Sequence, residues 1–199
     1  YPKEVAQPIK EDTLLSKPLE QTNEGYAIAK IAGLKLCSYL FKEHKKDFIT
    51  VMPTNLYGPN DNFDLETSHV LAALINKITY AKKYNKKNIE IWGTGKPKRD
   101  FLHVYDLADA LYFLAENYSS FKPINVGSSK EISIAELARV IAKIIGWNGN
   151  FNFNTNMPDG TMLKRLDTTV INSMGWFPKI DIRSGIRETI KEYLSVYDI

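Results

Sequence analysis

The most restrictive feature of this sequence is its alternation. Short apolar runs that stop at glycine or proline are separated by longer stretches with helical spacing. Phe48-Ile49-Thr50-Val51-Met52 is rich in β-branched residues and ends at Pro53, so it reads as a buried strand. Ile89-Glu90-Ile91-Trp92 alternates and stops at Gly93-Thr94-Gly95, and Pro123-Ile124-Asn125-Val126 is closed by Gly127. Arg99 to Val104 and Phe151 to Phe153 read as further extended pieces. Helices are predicted between them: Glu24 to Lys46 behind an Asn23 N-cap, Ser68 to Tyr84, and Asp106 to Asn117. Ser133 and Glu136 form a capping box for a helix that stops near Ile145, before Gly146. A short helical piece at Val170 to Met174 and a last helix at Ile182 to Val196 follow. Tyr1 to Thr22 and Thr54 to Asn62 read as loops, and Pro158-Asp159-Gly160 as a turn. Strand and helix in alternation dictate an α/β fold on a parallel sheet.

The chain has 199 residues, enough for one good core and a small second lobe. The later segments are shorter and more irregular, which implies a small α/β lobe beside the sheet. No linker separates the two, so they are expected to interweave. Residues 1–64 are assigned to the sheet domain and 65–199 mainly to the lobe, with about 100–126 returning to the sheet. A net charge of +3 is too small to argue for nucleic acid, and the short lysine clusters read as solvated helix ends. No apolar run is long enough for a bilayer and no signal peptide opens the chain, so no membrane partner is expected. A single cysteine, Cys37, fits a reducing compartment, and the cytoplasm is the expected location. No His/Cys/carboxylate cluster calls for a metal.

One signature is missing. No strand–loop–helix unit contains Gly-x-Gly-x-x-Gly or Gly-x-x-Gly-x-x-Gly, the loop that cradles a dinucleotide pyrophosphate at a helix N-terminus. Either the protein binds no dinucleotide, or the phosphate-binding half of a Rossmann-like sheet precedes Tyr1.

The strongest chemical feature is Tyr26-Ala27-Ile28-Ala29-Lys30. Four residues apart on a helix, Tyr26 and Lys30 share a face. A cation beside the phenol favours the phenolate and prepares Tyr26 to move a proton near neutral pH. Alone the pair is a weak signal, since a surface Tyr beside a solvated Lys has the same spacing. Its surroundings strengthen it. Asn23-Glu24-Gly25 precedes it. After strand 48–52 come Pro53-Thr54-Asn55-Leu56-Tyr57-Gly58-Pro59-Asn60-Asp61-Asn62-Phe63, then Ser68-His69-Val70, Trp92-Gly93-Thr94-Gly95 and Arg99-Asp100-Phe101-Leu102-His103-Val104.

This order resembles the extended short-chain dehydrogenase/reductase superfamily and, within it, the GDP-L-fucose synthase family, densely over residues 1–104 and more thinly after. The resemblance implies the C-terminal part of a Rossmann-like domain with a small α/β substrate-binding lobe. It implies NADP(H) as cofactor and a GDP-linked 4-keto-6-deoxy sugar as substrate. Tyr26 would be the general acid at the C4 oxygen, and Lys30 would hold the nicotinamide ribose. Pro53, Thr54, Asn55 and Leu56 would line the nicotinamide end. His69 would be the acid partner in epimerisation, beside the cofactor. Lys77, Trp92, Arg99 and Asp159 would contact the nucleotide sugar. The family's catalytic cysteine and serine fall before Tyr1. Cys37 does not replace them, because it lies within the helix, eleven residues beyond Tyr26, and reads as a packed small residue.

Plain alternatives stay open for several of these residues. Trp92 ends an apolar strand and could simply pack, and His69 could be a solvated histidine. His103 reads as structural. Lys77 stands where the family usually has arginine. Met157, Met162 and Leu163 replace a lysine, a proline and a basic residue. These departures leave the sugar open between hexose and heptose. They also leave open an enzyme that only reduces or only epimerises. A UDP-sugar 4-epimerase or dehydratase, and a non-catalytic nucleotide-binding module, are the rival classes. The chain by itself is expected to be inactive and to bind NADPH weakly. A homodimer through the helix carrying Tyr26 is expected, since Ala27, Ile31, Ala32, Leu34 and Leu40 cover more than one face.

Overall fold

A computed structural model describes residues 1–197. The chain alternates helices α1 (Glu24–His44), α2 (Val70–Lys83), α3 (Val104–Asn117), α4 (Ile134–Ile145), α5 (Thr169–Ser173) and α6 (Ile182–Val196) with eight short strands. These are β1 (Val51–Pro53), β2 (Asn55–Tyr57), β3 (Asn88–Trp92), β4 (Lys98–His103), β5 (Ile124–Val126), β6 (Glu131–Ser133), β7 (Asn150–Asn154) and β8 (Leu163–Lys164). The expected parallel pairing dominates. Parallel pairs are β1 with β5, β2 with β4, β3 with β7, and β4 with β8. The antiparallel pair of β4 with β6 was not foreseen, since Glu131–Ser133 is too short to register as a strand alone.

Two apolar clusters meet across β4. One gathers Leu71, Ile75 and Ile78 of α2, Ile89 and Ile91 of β3, Leu137 and Ile141 of α4, and Ile186 and Ile190 of α6. The other holds Ala110 and Leu114 of α3, Ile124 and Val126 of β5, Ile171 and Trp176. Successive strand residues face opposite sides, so Phe101 enters the first cluster and Leu102 the second. A single strand thereby stitches the clusters together. Asn125 of β5, fully buried, adds a polar tie by donating through Nδ2 to the carbonyls of Ile9 (2.9 Å) and Asp167 (3.1 Å).

Helix ends follow local chemistry. Ser133 Oγ accepts from the Glu136 N–H at 3.2 Å, and Gly146 closes α4 at φ +77°. Asp181 Oδ1 accepts from the N–H groups of Arg183 and Ser184 at the start of α6. Asn23 holds the N-cap position of α1, but its side chain makes no capping bond.

Three expectations need correction. The predicted strand Phe48–Met52 lies at 51–53 instead, and Phe48 is exposed. The predicted loop 54–62 contains β2, because pairing with β4 extends residues whose Gly/Pro surroundings signal a loop. The turn predicted at 158–160 lies at 154–157 instead, closed by the Met157 N–H donating to the Asn154 carbonyl at 3.2 Å.

Candidate active site

The chain leaves β1 at Pro53 and enters β2 at Asn55, and this crossing is pinned from both sides. The Thr54 N–H donates to the Val126 carbonyl (2.9 Å), Thr54 Oγ1 donates to the Asp100 carbonyl (3.1 Å), and Asn55 Nδ2 donates to the same carbonyl (2.8 Å). Pro53, Thr54, Asn55 and Leu56 therefore sit where the parallel strands β1 and β5 end, the usual place for a ligand crevice in an open α/β sheet. Close packing there is strict. A Cβ on Gly127 would fall 2.5 Å from Asp100 Oδ2 and 3.5 Å from Thr54 Cγ2.

Arg99 immediately precedes the Asp100 carbonyl on β4. Its guanidinium donates to the carbonyls of Lys98 (2.8 Å) and Thr161 (2.6 Å), and no carboxylate pairs with it among the described residues. Burial lowers its pKa from the usual value. Lys164, in register with Arg99 on β8, is lowered too, first by the atoms crowding its ammonium and then by the Arg99 charge, although its side chain still reaches solvent. Two crowded cations side by side are costly without an anion.

The same loop carries Asp159. Its Oδ1 accepts from the Thr94 N–H (2.6 Å) and its Oδ2 from Thr94 Oγ1 (2.8 Å). The carboxylate thus clasps the Gly93-Thr94-Gly95 turn. Gly93, at φ +75°, must be glycine: its Cβ would lie 2.2 Å from Asp159 Oδ1. Beside this turn Trp92 is 62% exposed at the end of β3, so core packing does not explain it. Lys77 Nζ lies 5.9 Å from the Trp92 ring centroid, within cation–π range.

The predicted residues Lys77, Trp92, Asp159, Arg99, Thr54 and Asn55 are thus linked through contacts with one another or with Thr94, Thr161 and Asp100, and through the chain between them. Tyr26 and Lys30 make a separate unit on α1. Both are exposed, with Lys30 Nζ 5.6 Å from the Tyr26 ring centroid. Among the described residues no hydrogen bond or ion pair joins them to the network. His69 lies at the N-cap position of α2 rather than inside the first turn, with an exposed side chain. His103 is structural: it is 1% exposed and its Nδ1 accepts from the Tyr105 N–H at the start of α3. Cys37 is a free, half-buried thiol. Among the described residues no group of three or more His, Cys, Asp or Glu side chains could hold a metal ion. Thr94 and Lys164 went unpredicted. The glycines flanking Thr94 were its only signal, and nothing in the order of residues pairs Lys164 with Arg99.

The chain is similar to known proteins over nearly its whole length. The chain is 50% identical over 194 residues to the probable GDP-L-fucose synthase 1 of Oryza sativa subsp. japonica, covering 98% of this chain and 59% of that protein. It spans about three fifths of the length of the curated relatives it matches. The structure of a GDP-L-fucose synthetase from Naegleria fowleri bound to NADP superposes with a TM-score of 0.93 at 31% identity, covering 100% of this chain and 64% of that one. A GDP-6-OMe-4-keto-L-xylo-heptose reductase from C. jejuni gives 0.90 at 33% identity, covering 98% and 68%. The model of the NAD dependent epimerase/dehydratase family matches residues 1–127, so with its Tyr-x-x-x-Lys helix and parallel strand pairs the chain belongs to that family.

Proposed function

We propose that the whole protein is an NADPH-dependent enzyme of GDP-L-fucose synthase type, which epimerises a GDP-4-keto-6-deoxy sugar at C3 and C5 and reduces it at C4. The observation that carries this reading is the network of Lys77, Trp92, Arg99 and Lys164 beside the Thr54–Asn55 crossing. It offers an aromatic face and unpaired cations, as a nucleoside diphosphate requires. The names of relatives such as the rice protein point the same way.

The residues present fit the nicotinamide end of the cofactor. An exposed Tyr26–Lys30 pair and the strand ends at Pro53–Leu56 are what that end needs, while the chain has no glycine-rich loop for the pyrophosphate. NADPH supplies the hydride when bound. Tyr26 donates the proton to the C4 oxygen, and Lys30 orients the phenol and the ribose. A C4 ketone acidifies the hydrogens at C3 and C5; the base that would take them is the cysteine the family carries before Tyr1, while Tyr26 holds the enolate oxygen and His69 returns a proton to carbon. Residues 1–64 with 100–126 build the cofactor side and the remainder builds the sugar side. The nucleotide sugar binds beside Arg99, near the start of β4.

We also infer a homodimer through α1. Ala27, Ile31, Ala32, Leu34 and Leu40 cover more than one face of this helix, so one face can serve the core and another a partner helix.

The test uses two variants of the whole enzyme. His69→Gln slows solvent deuterium incorporation at C3 and C5 by about 10²–10⁴-fold and leaves C4 reduction partly intact. Tyr26→Phe suppresses NADPH oxidation instead. Wild-type exchange in His69→Gln sinks the assignment. A second reading, a C4 reductase acting on a GDP-heptose, is favoured by Met157, Met162 and Leu163 and by the C. jejuni reductase fold. NADPH oxidation without any C3 or C5 exchange in the wild type selects it.

A further inference from the structure

Helices α4 and α6 pack against each other, and beside their contact lies a groove of about 250 Å³. It is lined by Val140, Lys143 and Ile144 of α4 and by Arg183 and Arg187 of α6. Val140 is buried and Ile144 half-buried, so the two supply an apolar floor. The three cations are exposed, and among the described residues none has a carboxylate within 4.0 Å.

Local rules oppose this convergence. Arg183 and Arg187 stand four residues apart on one face of α6, a spacing at which like charges destabilise a helix. Arg183 is the second residue of α6, at the positive end of the helix dipole, which disfavours a cation. Lys143 brings a third positive charge from the neighbouring helix. Of the three, only Lys143 has a local reason for its place, in the last turn of α4 where the dipole favours it.

The carboxylates that could relieve the charge are engaged elsewhere. Glu188 follows Arg187 in the chain, but its Oε2 lies 3.6 Å from His103 Nε2. Glu192 accepts the Asn60 N–H with both oxygens (3.0 and 2.9 Å). Asp181 commits Oδ1 to the N–H groups of Arg183 and Ser184. Those bonds, led by the one from Ser184, hold its carboxyl below the usual range, and the Arg187 charge adds the smallest part. Glu136, the one acid of α4, stands seven residues before Lys143.

We propose that this groove binds a phosphate-bearing small molecule, at a site apart from Lys77, Trp92, Arg99 and Lys164, none of which lines it. The guanidinium forks of Arg183 and Arg187 match phosphate oxygens two at a time, and Lys143 adds a point charge. Val140 and Ile144 take the carbon body of the ligand. The volume suits a phosphate monoester or a diphosphate, being below the roughly 300–1,000 Å³ of pockets for larger ligands. It does not seat a helix about 10–12 Å across, which favours a compact anion over an acidic partner protein. The site is independent of the proposed reaction.

Inorganic pyrophosphate is the probe, titrated into the whole protein with sodium chloride adjusted to constant ionic strength. The Nε–Hε NMR signals of Arg183 and Arg187 are each assigned by their loss in the Arg→Lys variant. Both signals shift together and saturate. Arg183→Gln or Arg187→Gln weakens the binding read at the remaining arginine by about tenfold or more, since each removes a charge-assisted hydrogen-bonding group. Arg187→Lys, which keeps the charge and loses the fork, weakens it less than Arg187→Gln. Signals that drift without saturating, or that respond equally to sodium chloride, describe a screened cationic surface and overturn the proposal. Wild-type affinity in both Gln variants overturns it as well. Saturation by a hexaglutamate peptide but not by pyrophosphate also overturns it and selects an acidic protein segment instead.

Discussion

Asp159 is the residue for which the expected and observed roles differ most, and its removal separates them. Its two oxygens accept from Thr94 N–H at 2.6 Å and Thr94 Oγ1 at 2.8 Å, both partly buried. A hydrogen bond to a charged group contributes about 1.5–3 kcal/mol. Partial exposure puts the pair near the low end, so Asp159→Ala costs about 2–4 kcal/mol of stability. With a urea slope of about 2 kcal/mol per molar, the unfolding midpoint falls by about 1–2 M. Thr94→Val removes only the hydroxyl bond and costs about half as much. The double variant costs less than the sum, because each change removes the same contact. Affinity for GDP, measured by calorimetry, falls in both single variants, since the clasp sets the turn that presents Trp92 and the loop that meets Arg99. An Asp159→Ala chain with wild-type urea stability but lost GDP affinity refutes this reasoning and returns Asp159 to direct ligand contact.

Two further outcomes follow from buried groups around Tyr57. A Cβ on Gly185 would lie 2.2 Å from Tyr57 Oη and 2.9 Å from His103 Cδ2, so Gly185→Ala destabilises by about 1–3 kcal/mol in a thermal melt. Tyr57→Phe in the same chain recovers part of that loss, and a melt without recovery rejects the clash. Burial holds the His103 pKa below the usual 6.5, with Glu188 and Asp106 opposing. The unfolded chain then binds the extra proton first, so this contribution is whole above 6.5 and is lost as pH falls toward the folded value. His103→Asn, which keeps an acceptor for the Tyr105 N–H, flattens the stability profile between about pH 7 and pH 5. An unchanged slope assigns the acid sensitivity to other groups.

Elements fixed by local signals were legible in the sequence. The predicted helix 182–196 is α6, because Asp181 caps it and Ile186 and Ile190 fall on one buried face. Ile89 and Ile91 alternate into the core as read. Elements fixed by distant partners were not. Tyr57 is 2% exposed and β2 is a strand only because β4 lies alongside, while the neighbouring Gly58-Pro59 announces a loop. Phe48 begins an apolar run, yet the paired stretch opposite β5 starts only at Val51. Nothing in the local sequence gives Asn125 a partner. It is the buried tie between the first and last thirds of the chain.

The candidate site shows the same limit from the side of chemistry. The family resemblance gave Lys77, Trp92, Arg99 and Asp159 as four contacts of a nucleotide sugar, and it does not distinguish their partners. Folding divides them. Asp159 meets Thr94 from 65 positions away, and its charge is satisfied by the turn it clasps. Arg99 meets the Thr161 carbonyl from 62 positions away and gains no counter-charge from it. Lys164 joins Arg99 through the register of β8 on β4, and Lys77 joins Trp92 across α2 and β3. One acid is thus committed to structure, while three cations remain without a carboxylate at ion-pair distance among the described residues. The polarity of the candidate site arises from which partners the fold assigns, and the partners of Asp159 and Arg99 lie more than 60 residues away in sequence.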